Sequence, residues 1–201
     1  MNASPKPAIY LALLHYPVYN KNGDVVATAV TNIDVHDIVR SSRTYGVKGV
    51  YIVTPIEQQR CLISEIISHW TEGAGSRHNP ARAEAFSIAK VIESLEGAVE
   101  DITEREGTLP KRIATSAKVM NDMTTFSACR EAWKKGTEEP QLLLFGTGWG
   151  MTDEVVEGAD KRLPPLVPAT WAIGDRESYN HLSVRSAVAT ILDRLFGERE
   201  E

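Results

Sequence analysis

The chain has 201 residues, 42% hydrophobic and 24% charged, which suits one domain with a sizeable core and excludes a disordered or fibrous chain. A net charge of −5 argues against non-specific coating of nucleic acid and leaves room for a local basic patch. No apolar run approaches the ~20 residues that span a bilayer, and Cys61 and Cys129 have no metal-site spacing, so both are read as buried thiols of a cytoplasmic protein.

In chain order, Ala8 to Leu14 reads as a buried strand. The start is a poor signal peptide, because one Lys precedes the apolar patch, no small-residue cleavage site follows, and His15 and Pro17 end it. Asn20 to Asp24 is turn chemistry and Val25 to Val30 a second β-rich run. Asp34 to Tyr45 is a helix with Val35, Ile38 and Val39 on one face. Gly49 to Thr54 is a strand, and Glu57 to Trp70 an amphipathic helix. A loop from Gly73 to Pro80 leads to a short helix, Pro80 to Phe86, and a strand within Ser87 to Ile92. Ser94 caps a helix. Arg112 to Thr115 is a strand, Thr124 to Lys134 a helix, and Leu142 to Phe145 a buried strand. Thr152 to Gly158 is a short helix, and Leu163 to Tyr179 is irregular. Asn180 is placed as the N-cap of a last helix reaching Phe196, and the charged tail Glu198 to Glu201 is expected to fray. This alternation predicts one α/β domain over 1–201 with a mostly parallel sheet flanked by helices.

Three segments put chemistry at predicted strand ends, where open α/β sheets bind ligands. The first, Thr31 to Val47, places His36, Arg40 and Arg43 on one flank of a helix, a cationic strip fit for phosphate. Its bland alternative is a solvated face paired to Asp34 or Asp37. The second is the loop after Phe145, with Gly146, Thr147, Gly148, Trp149 and Gly150. Its late position, G-x-G-x-G spacing and missing Lys exclude a P-loop and weaken a dinucleotide fingerprint. A plain strand-to-helix turn is the alternative. The third is Glu177 to Val188, in which Asn180, His181 and Ser183 open a helix able to hold a carboxylate or ribose. His181 reads equally as a capping or surface histidine. No metal-hydrolase or serine-hydrolase motif is present.

Taken together, DIVRSSRTYGVKGVYIVTP, LLLFGTGWGMTDEV and YNHLSVRSAVATILDRL resemble the three motifs of the SPOUT, or α/β-knot, methyltransferases. Their order and spacing fit from Ala8 to Gly197. The branch it is most similar to comprises bacterial S-adenosylmethionine-dependent RNA methyltransferases. The resemblance implies a C-terminal deep trefoil knot and an obligate homodimer with the site near the subunit boundary. It implies S-adenosyl-L-methionine as cofactor, tRNA or rRNA as acceptor, and no metal. The cofactor loops carried over are Thr115, Ser116 and Ala117; Phe145 to Gly150, with Gly146, Thr147, Gly148 and Gly150; and Leu163 and Leu166 with Asn180, His181, Leu182 and Ser183. Leu163, Leu166 and Leu182 would form the adenine pocket. Arg40 matches the motif-one arginine, expected to orient RNA phosphate or help activate the acceptor. Asn32, Asp34 and His15 are expected to complete the acceptor pocket, with Asp34 the alternative to Asn32 for the motif-one asparagine. His15 and His36 are the general-base candidates. Thr147 and Trp149 depart from the acidic residue common between the family's glycines, and Trp149 either stacks on a base or packs against the knot. A cofactor-binding sensor without methyl transfer and a Rossmann-type methyltransferase are the rival readings.

Overall fold

The computed structural model describes residues 6–137, 139–173 and 179–198. The elements are β1 (Ile9–Leu14), β2 (Val18–Tyr19), β3 (Val25–Val26), α1 (Asn32–Thr44), β4 (Gly49–Val53), α2 (Glu57–Thr71), α3 (Ala74–His78), α4 (Pro80–Phe86) and β5 (Ala89–Ile92). They continue as α5 (Leu95–Glu106), β6 (Lys111–Ala114), α6 (Phe126–Lys134), β7 (Gln141–Gly146), α7 (Asp153–Glu157), β8 (Lys161–Arg162), α8 (Thr170–Ile173) and α9 (Val184–Phe196). Six strands form one parallel sheet in the order β5-β4-β1-β7-β6-β8. The expected mostly parallel sheet flanked by helices is therefore present.

Strand alternation builds a core on each face. From β1, Leu11 and Leu13 join Val35, Ile38 and Val39 of α1 and Val188, Ile191, Leu192 and Leu195 of α9. Tyr10, Ala12 and Leu14 face the other way, against Leu95, Ala98 and Ile102 of α5. Two polar anchors hold that second face. The Tyr10 hydroxyl donates to Glu106 at 2.5 Å and the Tyr51 hydroxyl to Asp101 at 2.6 Å.

Several boundaries differ from the sequence expectation. The run Val25 to Val30 yields only two strand residues, paired antiparallel with β2 across the Asn20–Asp24 turn. The segment Gly73 to Pro80 contains α3, and Leu163 to Tyr179 contains α8. Ser183, not Asn180, caps α9, its hydroxyl accepting from the Ser186 N–H. Cys61 is exposed while Cys129 is buried. Residues 174–178, which include Glu177, and the tail from 199 lie outside the described residues.

Strand β1 sits mid-sheet: the chain runs from it outward to β4 and β5, then crosses to fill the other side with β6, β7 and β8. The reversal falls between β1 and β7, and a crevice is expected beyond their carboxyl ends.

Candidate functional site

A cleft of about 700 Å³ opens there, within the ~300–1,000 Å³ range of small-molecule sites. His15 enters from the end of β1, Thr115 to Lys118 from the end of β6, and Phe145 to Met151 from the end of β7. Leu166 and Asn180 to Val184 arrive from the C-terminal segment, with Ala187 and Ile191 from α9. Asp34 is the contribution of α1. The Asn180 side-chain amide donates to the Ala117 carbonyl at 3.3 Å, tying the third loop to the first.

The glycine loop is docked on the β2–β3 hairpin. The Trp149 N–H donates to the Tyr19 carbonyl at 2.9 Å, and the Tyr19 N–H to the Gly150 carbonyl at 2.8 Å. Gly148 has φ +59, and a Cβ there would lie 2.8 Å from the Tyr19 oxygen. A Cβ on Gly146 would meet Met151 at 2.6 Å. Two of the three glycines are thus required by the protein's own packing. Only Gly150, at φ +104, has open space around it. Trp149 stands 60% exposed on this rigid loop, so packing into the protein does not account for it.

His15 is held on several sides. Its backbone N–H donates to the Val53 carbonyl at 2.9 Å, and its carbonyl accepts from Thr28 N–H at 2.8 Å. Its Nδ1 lies 3.0 Å from Thr28 Oγ1, which is 2.5 Å from Thr147 Oγ1, itself 3.0 Å from the Leu14 carbonyl. The ring is buried, and its Nε2 has no partner. Burial pushes the imidazole pKa down to about 4, with the nearby Asp34 carboxylate opposing the shift. Asp34 is itself paired with Arg185 at 3.0 Å, and Arg185 also reaches Asp37 at 3.5 Å.

Of the residues singled out from sequence, His15, Asp34, Thr115, Ser116, Ala117, Phe145, Gly146, Thr147, Gly148, Gly150, Leu166, Asn180, His181, Leu182 and Ser183 line this one cleft. Leu163 does not: it is fully buried, its N–H on the Ala114 carbonyl. Asn32 lines a separate groove with His36, His69 and Trp70. His36 packs edge-on to Phe86 and Trp70, where burial, then the Arg82 cation, lowers its pKa. Arg40 is exposed. It lies six residues from Asp34, about 120° around the helix at 100° per residue, so one chain does not bring both into the cleft. Nor does the cationic strip persist, since Arg43 pairs with Glu84 at 2.6 Å. Thr28, Lys118 and Arg185 were missed. Lys118 adjoins the first cofactor loop and Arg185 lies within the third motif, while Thr28 and Arg185 are placed by contacts far apart along the chain, with Thr147 and Asp34.

The cleft suits a ligand with an apolar ring and a polar tail. Leu166, Leu182, Val184 and Ile191 supply an apolar wall, while Asp34 and the open backbone at Gly150 supply polar recognition. Among the described residues no group of His, Cys, Asp and Glu could hold a metal ion, and no helix is long and apolar enough to cross a membrane.

Residues 8–197 match the sequence model of a family described as SAM-dependent RNA methyltransferase. A protein named tRNA (guanine-N(1)-)-methyltransferase from Nitratidesulfovibrio vulgaris is 47% identical over 194 residues, covering 96% of this chain and 43% of that protein. The chain thus spans less than half the length of that relative. An uncharacterized protein from Aquifex aeolicus is 37% identical over 188 residues, covering 94% of this chain and 88% of the other. Among solved structures, the SpoU methyltransferase AviRb from Streptomyces viridochromogenes in complex with AdoMet aligns with a TM-score of 0.54 at 16% identity. That alignment covers 96% of this chain and 57% of the other, and shows a shared fold.

Proposed function

The chain belongs to the S-adenosylmethionine-dependent RNA methyltransferase family, and on that premise we propose that it transfers the methyl of S-adenosylmethionine to RNA in the cleft at the ends of β1, β6 and β7. The convergence of three loops far apart in sequence on one cleft, closed by the Asn180–Ala117 hydrogen bond, carries this reading. Leu166, Leu182, Val184 and Ile191 hold the adenosine, Thr115 to Ala117 and Phe145 to Gly150 follow its polar edge, and Asn180 to Ser183 close over it. When bound, S-adenosylmethionine supplies an already electrophilic methyl, so the chain's task is to position the two reactants and exclude water. Trp149, exposed and rigidly mounted at the cleft, stacks on a nucleobase of the RNA.

The acceptor is a structured RNA of the cytoplasm, with tRNA first because the relatives carry that word in their names. The N1-guanine part of the name belongs to proteins of which more than half lies outside the match. The working unit is a homodimer. Arg40 is exposed and does not line the cleft of its own chain, which supports its serving the cleft of a second copy. A deep trefoil knot at the C-terminal end accompanies this function, a reading supported by the order β1-β7-β6-β8 and by the packing of α9 on α1. An experimental structure tests that topology.

The test of function is titration of S-adenosylhomocysteine by calorimetry, followed by labelled methyl transfer to bulk RNA from a strain lacking the protein. Tight cofactor binding without transfer to any RNA class would replace the enzyme reading by a cofactor-binding sensor.

A further inference from the structure

We propose that Nε2 of His15 receives the proton of the RNA acceptor during methyl transfer, and that the methylated atom is therefore one that carries a hydrogen: a hydroxyl oxygen or a ring N–H. This rests on the function proposed above and names the acceptor chemistry of the same cleft.

A chain of hydrogen bonds assigns the tautomer. The Leu14 carbonyl can only accept, so Thr147 donates its hydroxyl hydrogen to it at 3.0 Å. With the Thr147 hydrogen so placed, Thr28 donates across the 2.5 Å contact to Thr147 or to the His15 carbonyl at 3.5 Å. Thr28 Oγ1, its hydrogen used, accepts from His15 Nδ1–H at 3.0 Å. The proton sits on Nδ1, and Nε2 carries a bare lone pair. That atom is one of four buried side-chain atoms without a partner among the described residues, and the only one on a residue lining the cleft. A buried polar atom left unpaired is costly, and a ligand donor relieves that cost. Burial keeps the ring neutral, so the lone pair stays unprotonated throughout the physiological range.

The balance is complete. The acceptor's lone pair forms the new bond to the methyl carbon, and the pair of the broken carbon–sulfur bond stays on sulfur. The acceptor's hydrogen passes as a proton to Nε2. The positive charge that arrives on sulfur leaves as the His15 imidazolium, still hydrogen-bonded through Nδ1 to Thr28. A weakly basic imidazole suffices, because the acceptor's hydrogen becomes strongly acidic as the bond to carbon forms. Thr28 is a positioning residue that acts through His15.

Three measurements test this. Nitrogen-15 NMR of histidine-labelled protein at neutral pH is expected to show His15 protonated on Nδ1 alone, and Thr28→Val to shift the population towards Nε2–H. A wild-type ring protonated on Nε2 overturns the proposal. His15→Ala is expected to lower transfer to bulk tRNA or rRNA on the order of 10²-fold or more, with affinity for S-adenosylhomocysteine within about twofold of wild type. Thr28→Val should fall between, with Thr28→Ser restoring the rate. Transfer undiminished in His15→Ala refutes the role. Mass-spectrometric mapping of the wild-type product needs no variant to fold: a 2′-O-methyl or a methylated ring N–H agrees, whereas methyl on N7 of guanine or N1 of adenine, which carry no hydrogen, overturns it. Failure of wild-type protein to bind S-adenosylhomocysteine strikes the proposed function instead, and the NMR result still stands by itself.

Discussion

Gly148→Ala is expected to be more damaging than Gly150→Ala, the other left-handed position of the glycine loop. The residue holds φ +59, a left-handed conformation that costs an L side chain about 1–2 kcal/mol. The new Cβ would also sit 2.8 Å from the Tyr19 carbonyl oxygen, a backbone atom that cannot swing aside. Relieving the overlap pushes the loop from the hairpin and weakens the Trp149–Tyr19 and Tyr19–Gly150 hydrogen bonds, each worth roughly 0.5–1.5 kcal/mol net. The sum is about 2–5 kcal/mol, or a fall in Tm of roughly 5–20 °C for a domain of this size. Gly150→Ala is the control. Its φ of +104 is strained but nothing lies within 4 Å of the added carbon, so it should lose only ~1–3 kcal/mol. Thermal melts of both variants, with calorimetric titration of S-adenosylhomocysteine, measure the difference. Gly148→Ala should also weaken that binding, because Gly146 and Thr147 line the cleft. A Gly148→Ala protein melting level with or above Gly150→Ala would refute the docking of this loop on Tyr19.

Acid should loosen the second face of the sheet. The Tyr10 hydrogen bond, then Lys48, holds Glu106 below its ordinary pKa. Burial alone would raise Asp101, but Lys90, Tyr51 and Arg105 together hold it low. Both folded pKa values lie under the unfolded ones, so this stabilisation is complete above about pH 5 and is lost as pH falls from there through the lowered values. Melts against pH should show that loss, and Asp101→Asn should flatten it. Asn180→Ala removes the tie to Ala117 and is expected to weaken S-adenosylhomocysteine several-fold with Tm nearly unchanged, both read in one calorimetric series. Arg40→Ala, at an exposed site, should leave melting and cofactor affinity at wild-type levels while transfer collapses; equal loss of binding and transfer would make Arg40 structural.

The parts of the fold legible in the sequence are those written in local periodicity. The last helix reaching Phe196, the buried apolar run of β1 and the Ser94 cap each lie within one element and came out as read. What escaped was decided between elements. Strands β2 and β8 are two residues each, too short to carry a period. Asn180 has the chemistry of a cap, but its amide is spent on Ala117, 63 residues away, and Ser183 takes the helix end. The glycine loop was readable as a candidate site, yet the reason for Gly148 lies in the Tyr19 carbonyl, on a strand of two residues that the marked turn at Asn20–Asp24 did not reveal.

The same division governs the site's chemistry. His15 was visible as a candidate base at a strand end, but a histidine's usefulness depends on which nitrogen holds the proton, and that is set by Thr28 and Thr147, 13 and 132 positions further along. Asp34 was visible as an acid, yet its charge is answered by Arg185 from the third motif, so α1 and α9 share one electrostatic contact as well as one core. Arg40 shows the limit in the other direction. Motif similarity assigns it to the chemistry, while helical geometry turns it about 120° away from Asp34. The proposed homodimer reconciles the two, because Arg40 would then serve the cleft of another copy of the chain, and that proposal predicts loss of activity on dilution to monomer.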